Sequence, residues 1–218
     1  MEIKFDEIFY CNDVALLLCE MNADIEGLKE KLTNFGFYQQ QFETLRTEKR
    51  KREFLAARIA CNILANAEVE VVYDANNKPF LQNSSHTISI SHAKNTLCVA
   101  MHAKHDVGVD IEYATPRMLS LQKRFCNANE LAKYANNAKA LLSIWCAKEA
   151  LYKVIGSEAV DFSKQLEIVD INDIAGTIEA IHLVRNKKYT LTFAHSEGLC
   201  VVVAPQPPKG GVREGVQV

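Results

Sequence analysis

Alternating apolar and polar positions mark short strands along much of this chain. The stretch HDVGVDIEY, residues 105–113, has valines and an isoleucine on one face and Asp110 and Glu112 on the other. Similar alternation or short apolar runs predict strands at 68–73, 86–91, 97–101, 166–171, 177–184, 189–195 and 199–204. The strand predicted in residues 105–113 is unusual because it places two like charges, Asp110 and Glu112, side by side.

Helical spacing of apolar residues predicts helices at 42–65 and 137–155, with Gly156 as a stop for the second. Each helix is followed by a series of short strands. SHAKNTLCVA, residues 91–100, also resembles AHSEGLCVV, residues 194–202, with one gap. The order and the likeness predict an α+β fold of two similar halves, each a long helix on a small, mostly antiparallel sheet. A ligand groove would lie between them.

We place the boundaries of these halves at 1–105 and 106–204. Residues 205–218 are rich in proline and glycine and are predicted to be a disordered tail. The formal net charge of −2 disfavours broad binding to nucleic acid or membranes. No apolar run is long enough to span a bilayer, and the acidic N-terminus is unlike a signal peptide. Seven scattered cysteines without a C-x-x-C motif favour a reduced protein, so we expect a cytoplasmic location.

Asp110 and Glu112 project to the same side of their predicted strand. They could be a solvated edge that discourages aggregation. Alternatively, a cation could offset their mutual repulsion.

A second acidic group stands in WCAKEALYK, residues 145–153, where Glu149 and Lys153 share a helix face and Lys148 adjoins them. On its own, this arrangement is typical of a surface ion pair. Combined with Asp110 and Glu112, it offers three carboxylates and lysine, which suit Mg²⁺ and a phosphate group.

Basic residues cluster in RTEKRKREFLAAR, residues 46–58. They could form a solvated helix face, a nucleic-acid patch or a site for a polyphosphate; the net charge favours the third over the second. His92 continues the side of Ile88 and Ile90, so it could equally be a buried histidine.

Four motifs together resemble the 4′-phosphopantetheinyl transferases, specifically the larger, monomeric, pseudo-dimeric type that activates surfactin synthetase. They are KP at 78–79, SISH ending at His92, GVDIE at 108–112 and WCAKEALYK at 145–153. The last two, about thirty residues apart, are specific to the family. Arg124, Phe125 and Glu130 fit the segment between them. The resemblance is firm over residues 78–153 and compatible with residues 1–204.

The resemblance implies Mg²⁺-dependent transfer of the phosphopantetheine arm from coenzyme A to a serine of an apo-carrier protein, with Mn²⁺ as an alternative ion. The halves would then be related by a pseudo-twofold axis, and the protein would be a monomer. The metal ligands fall on Asp110, Glu112 and Glu149, and the catalytic pair on Glu149 and Lys153. The coenzyme A contacts fall on Ser91 and His92 for the 3′-phosphate, Lys78 and Pro79 beside the adenine, Lys148, and an early arginine, which is Arg52 or Arg58.

Two departures from the family pattern are Asn77 where glycine often precedes KP, and Ala93 where a small hydroxyl residue often follows the histidine. An alternative function is a coenzyme A- or nucleotide-binding homologue without catalysis, and another is a nucleic-acid module that uses KRKR. For the enzyme, residues 113–136 are the predicted docking segment for an acidic carrier.

Overall fold

The computed structural model describes Met1, residues 6–156 and residues 160–205. Its strands are β1 (Ile8–Cys11), β2 (Val14–Glu20), β3 (Val71–Tyr73), β4 (Pro79–Leu81), β5 (Thr87–Ala93), β6 (Thr96–His102), β7 (Val107–Tyr113), β8 (Leu166–Asn172), β9 (Thr177–His182), β10 (Lys187–Ser196) and β11 (Leu199–Pro205). Its α-helices are α1 (Ile25–Glu30), α2 (Gln39–Thr44), α3 (Glu48–Ala65), α4 (Arg117–Phe125), α5 (Ala128–Tyr134), α6 (Ala138–Ile155) and α7 (Phe162–Gln165). A 3₁₀ turn covers Phe35–Phe37.

The strands form antiparallel sheets in two larger groups and one hairpin. The first sheet has the order β1-β2-β6-β5, the second has the order β7-β11-β10-β9-β8, and β3 pairs with β4. Long helices pack on these sheets, so the mixed α+β architecture with antiparallel sheets is confirmed. The pseudo-twofold relation between the halves stays a prediction.

Local capping fixes the ends of the two long helices. The Thr47 side chain accepts a hydrogen bond from the backbone N–H of Arg50 at the start of α3, and Asn137 does the same for Ala140 at the start of α6. The predicted helix over 42–65 is therefore wrong as one unit, because Leu45 is extended and Thr47 starts a new helix. The end of α6 at Gly156, with φ of 88°, is as predicted.

Three apolar clusters hold these layers together. One packs α3 against the first sheet, and a second packs α6 against the second sheet. A third lies between the two sheets and contains Val107, Val109 and Ile111 of β7. The apolar face of β7 is thus buried as its alternation predicts, and its other face lies towards α6.

Two expectations need correction. The strand predicted at 68–73 is shorter, because the backbone N–H of Val69 bonds to the Asn62 side chain of α3 instead of a neighbouring strand. Of the two alternatives left open for His92, the buried one is excluded, because its side chain is exposed. Pro205, assigned to the tail, ends β11, and residues 206–218 lie outside the described residues. Within the described part of the chain, no helix is both long and apolar enough to cross a membrane.

Candidate active site

The contact between β7 and α6 is set by a glycine. A Cβ atom at Gly108 would lie only 2.0 Å from the carbonyl oxygen of Ala150 and 2.9 Å from Cγ2 of Val154. The helix backbone therefore rests directly on the strand, which only glycine permits. This close approach sets Asp110 of β7 beside Lys153 of α6.

Asp110 is buried and hydrogen-bonded from two directions. Its Oδ1 atom accepts hydrogen bonds from Lys153 Nζ at 3.0 Å and from Ser91 Oγ at 2.8 Å. Lys153 also donates to the backbone oxygen of Val109 at 2.7 Å. A charged donor therefore contacts this buried carboxylate beside the helix.

Glu149 lies in the same electrostatic environment. Burial of its side chain and then the negative charge of Asp110 raise the pKa of Glu149 to about 7, and Lys153 opposes this rise. Loss of water around Glu149 disfavours its ionised form, and so does the nearby carboxylate of Asp110. A cation between the two carboxylates would favour it again.

The third predicted ligand, Glu112, is hydrogen-bonded to the backbone of its own neighbour. The Oε1 atom of Glu112 accepts a hydrogen bond from the backbone N–H of its neighbour Tyr113 at 2.9 Å. Among the described residues, no group of three or more His, Cys, Asp or Glu side chains is close enough to hold a metal ion. The oxygen donors suit Mg²⁺ in their chemistry, but the third would have to reorient to join the other two.

A cavity of about 730 Å³ is lined by Lys153 but not by Asp110, Glu112 or Glu149. Glu149 lines a separate cavity of about 490 Å³. The walls of the larger cavity come from α3, the β3–β4 turn and β5 on one side, and from residues 106–107 and the end of α6 on the other. The basic side chains in the wall are Arg50, Arg58, Lys78, His92 and Lys153. Three acidic residues, Glu53, Asp74 and Asp106, also line it, and the guanidinium of Arg58 is fully buried. An anionic ligand would therefore bind at the remaining basic positions of the wall.

Acidic partners hold most of these basic groups in place. Glu53 is buried, and its carboxylate contacts Arg50 at 2.9 Å and His92 at 3.5 Å. Lys78 pairs with Asp106 at 2.9 Å. These contacts fix the positions of the cationic groups before any ligand arrives, which reduces the entropy lost on binding.

The two arginine candidates occupy different surroundings. Arg52 is not among the residues that line the cavity, and its closest acidic contact is Glu48 at 4.0 Å. Arg58 borders the cavity and is fully buried, with its guanidinium 3.2 Å from the ring centre of Phe54. Burial lowers the pKa of Arg58. The structure therefore brings Arg58, not Arg52, to the site.

Lys148 does not reach the cavity, contrary to its predicted ligand contact. Its side chain is completely buried, and Nζ donates to Glu130 Oε2 at 2.7 Å and to the backbone oxygens of Phe125, Phe162 and Leu166. Burial lowers the pKa of Lys148, and the charge of Glu130 opposes this. With these four acceptors around it, the ammonium group holds the end of α4, α5, α7 and β8 to α6.

Residues 106–204 match the model of the 4′-phosphopantetheinyl transferase superfamily. This segment contains the β7–α6 contact with Asp110, Glu112, Glu149 and Lys153. The match supports the superfamily and a transferase of the phosphopantetheinyl type, while the surfactin-synthetase-activating type stays a prediction. Among curated proteins, no match to the chain was found.

Several residues of the site were not predicted as such. Arg50 was noted only as part of a basic run, and Glu53 and Asp106 were not singled out. The sequence gives one indication that Glu53 is buried, because it is an acidic residue next to Phe54 within the predicted helix. The contact of Asp106 with Lys78 joins positions that are distant in sequence, and no sequence pattern indicated it.

Proposed function

We propose that this protein transfers the 4′-phosphopantetheine arm of coenzyme A to a serine of an apo-carrier protein and releases adenosine 3′,5′-bisphosphate. The observation that carries the proposal is the meeting of Asp110, Glu149 and Lys153 at the β7–α6 contact, beside a basic cavity. The superfamily match covers the same contact. The alternative, a coenzyme A-binding protein without catalysis, has no comparable support from these residues.

Coenzyme A would bind in the cavity with its anionic groups towards the basic wall. Arg50 and His92 both contact Glu53 on the α3 side, and Arg50 donates a hydrogen bond to Nε2 of His92 at 3.2 Å. Lys78 lies on the turn that leads into β4, next to Pro79. The resemblance gives His92 to the 3′-phosphate and the KP pair to the adenine, and both positions line the cavity.

Mg²⁺ would be held by Asp110 and Glu149, with Glu112 after reorientation. When bound, the ion would supply Lewis-acid stabilisation of charge on the pyrophosphate. Glu149 would accept the proton of the carrier serine as its oxygen attacks phosphorus. Lys153 would stabilise negative charge on the departing bisphosphate, and the rigid β7–α6 contact would keep these groups in register.

A repeated architecture would place this site between two halves. In each half, four of the described strands follow the long helix. The last strand before the helix pairs with the last of the four, in β2-β6-β5 with the hairpin β4-β3 and in β7-β11-β10-β9-β8. Helices α3 and α6 are both 18 residues long, and the eleventh residue of each is a fully buried cation, Arg58 or Lys148. The two similar sequence segments form the β5–β6 and β10–β11 hairpins. These correspondences support a pseudo-twofold relation and, with it, a monomeric enzyme.

The decisive experiment is incubation of the full chain with coenzyme A, Mg²⁺ and a panel of apo-carriers, followed by mass spectrometry of the carriers. We expect the wild-type protein to add the prosthetic arm. Asp110→Asn and Glu149→Gln should each slow transfer by about 100-fold or more, because they remove charge where it stabilises the transition state. Asp173→Asn is a matched control on an exposed acid and should retain the rate.

Near-normal transfer by either site variant would refute the assignment of these carboxylates. Calorimetry would separate the alternative function, since coenzyme A binding without any modified carrier would indicate a binding protein. No binding and no transfer would refute both.

The carrier would dock on residues 113–136, where α4 and α5 present basic side chains. Lys123 and Arg124 are exposed in the last turn of α4. Reversing both charges, in K123E/R124E, should raise the KM for an acidic carrier about tenfold with little change in coenzyme A affinity. Lys133 is omitted because its ammonium binds the backbone oxygen of Val169.

Steady-state kinetics with varied carrier would measure this effect, and Lys139→Glu, on a different exposed surface, is the control. An unchanged KM in the double variant would place the docking surface elsewhere. A cytoplasmic location is part of the same proposal. The carriers found to react will decide among fatty-acid, polyketide and peptide carriers.

A further inference from the structure

The two sheets meet along β5 and β7 through serine side chains. β7 is the edge of its sheet and pairs on the other side with β11. On the side of β5, the backbone N–H of Val109 donates to Ser89 Oγ at 3.0 Å, and that of Ile111 donates to Ser91 Oγ at 3.2 Å. Both serines are buried, so they satisfy edge amides that would otherwise be unpaired.

Ser91 differs from Ser89 in one additional hydrogen bond. Its hydroxyl donates to Oδ1 of Asp110 at 2.8 Å, which is the same oxygen that Lys153 contacts. Among the described residues, both side-chain donors to this carboxylate converge on Oδ1, so the two together fix its orientation.

This arrangement conflicts with a phosphate contact for Ser91. A serine hydroxyl has one proton to donate, and a phosphate oxygen can only accept from it at neutral pH. Ser91 already gives that proton to Asp110. Ser91 is also buried and does not line the cavity, whereas its neighbours Ile90 and His92 do.

We propose that Ser91 is a positioning residue for Asp110: it holds Oδ1 so that the carboxylate is oriented for a divalent cation. The inference rests on the proposed function, because Asp110 is a metal ligand only if that function is right. It replaces the 3′-phosphate role that the family resemblance gives to Ser91, and it leaves that role to the exposed His92.

Ser89→Ala is a matched control for Ser91→Ala. Each substitution removes one serine hydroxyl that accepts from a β7 amide, but only Ser91→Ala also removes a donor to Asp110. The two variants should therefore have similar midpoints of urea denaturation. Ser91→Thr keeps the hydroxyl and is expected to retain the properties of the wild-type protein.

Electron paramagnetic resonance of free Mn²⁺ would measure metal binding by the full chain with saturating coenzyme A and no carrier. We expect Ser91→Ala to raise the Kd for Mn²⁺ about tenfold or more, as loss of a hydrogen bond to a metal ligand commonly does. Ser89→Ala should bind Mn²⁺ like the wild-type protein. Calorimetry without metal should give the same affinity for adenosine 3′,5′-bisphosphate in the wild-type and Ser91→Ala proteins.

The inference is overturned if Ser91→Ala and Ser89→Ala bind Mn²⁺ equally well, or if Ser91→Ala loses bisphosphate affinity instead. If Ser91→Ala does not fold, Ser91→Cys, whose thiol is only a weak donor, takes its place in the same comparison. Failure of the proposed function is distinct, since the wild-type protein itself would then bind no Mn²⁺ and modify no carrier, and the role of Ser91 would be refuted with it.

Discussion

Replacement of Lys148 by alanine is expected to lower the free energy of unfolding by about 3–5 kcal/mol, although this lysine neighbours the proposed catalytic residue Glu149 in sequence. The substitution leaves the Glu130 carboxylate in the core without its cation. It also leaves three backbone carbonyls without the ammonium donor. Glu130 would still accept from the backbone N–H groups of Asn127 and Ile168, which is too little to compensate its charge.

Urea denaturation followed by circular dichroism would measure this change. Lys139→Ala is the control, because Lys139 pairs with Asp173 in solvent and its loss should cost less than about 1 kcal/mol. Lys148→Met keeps most of the side-chain volume and tests the charge alone. A stable Lys148→Met protein with weakened coenzyme A binding would instead support the ligand contact that the sequence resemblance predicts.

Gly108→Ala is the second substitution for which we expect a large effect. The new methyl group would lie 2.0 Å from the carbonyl oxygen of Ala150, so α6 must move away from β7. Overpacking of this kind costs about 1–3 kcal/mol in the free energy of unfolding. Transfer should fall further, about 100-fold, because Glu149 and Lys153 would move relative to Asp110, and misplacement of about 1 Å is enough for such a loss.

Gly36→Ala is the matched control, since a Cβ there has no atom within 4 Å and should change stability by less than about 0.5 kcal/mol. Stability and the transfer rate would be measured on both variants. A Gly108→Ala protein with the wild-type rate would show that the registration of α6 on β7 is not needed for the reaction.

Short-range patterns in the sequence predicted the elements that carry the site. The alternation of HDVGVDIEY and the helical spacing of residues 137–155 gave β7 and α6 with nearly correct bounds. The same patterns did not show that the predicted helix is divided at Thr47. There the Thr47 side chain accepts a hydrogen bond from the backbone N–H of Arg50 and starts a new helix, and apolar spacing carries no information on this bond.

The contacts of single side chains were harder to predict. Lys148 and Glu149 are adjacent in sequence, but adjacent residues of a helix point about 100° apart, and one enters the core while the other stays half-buried. The role of Ser91 depends on β5 lying beside β7, and the orientation of Glu112 depends on a bond to its own neighbour. None of these follows from spacing alone.

The apolar cluster between the sheets has a consequence for how the chain can be divided. Its residues come from both β2 and β6 on one side and from β7 and β11 on the other. A fragment cut at residue 105 would expose this surface to water on either piece, with a strand edge beside it. The region that matches the superfamily is therefore one part of a jointly folded body, and neither piece is expected to survive as an independent module.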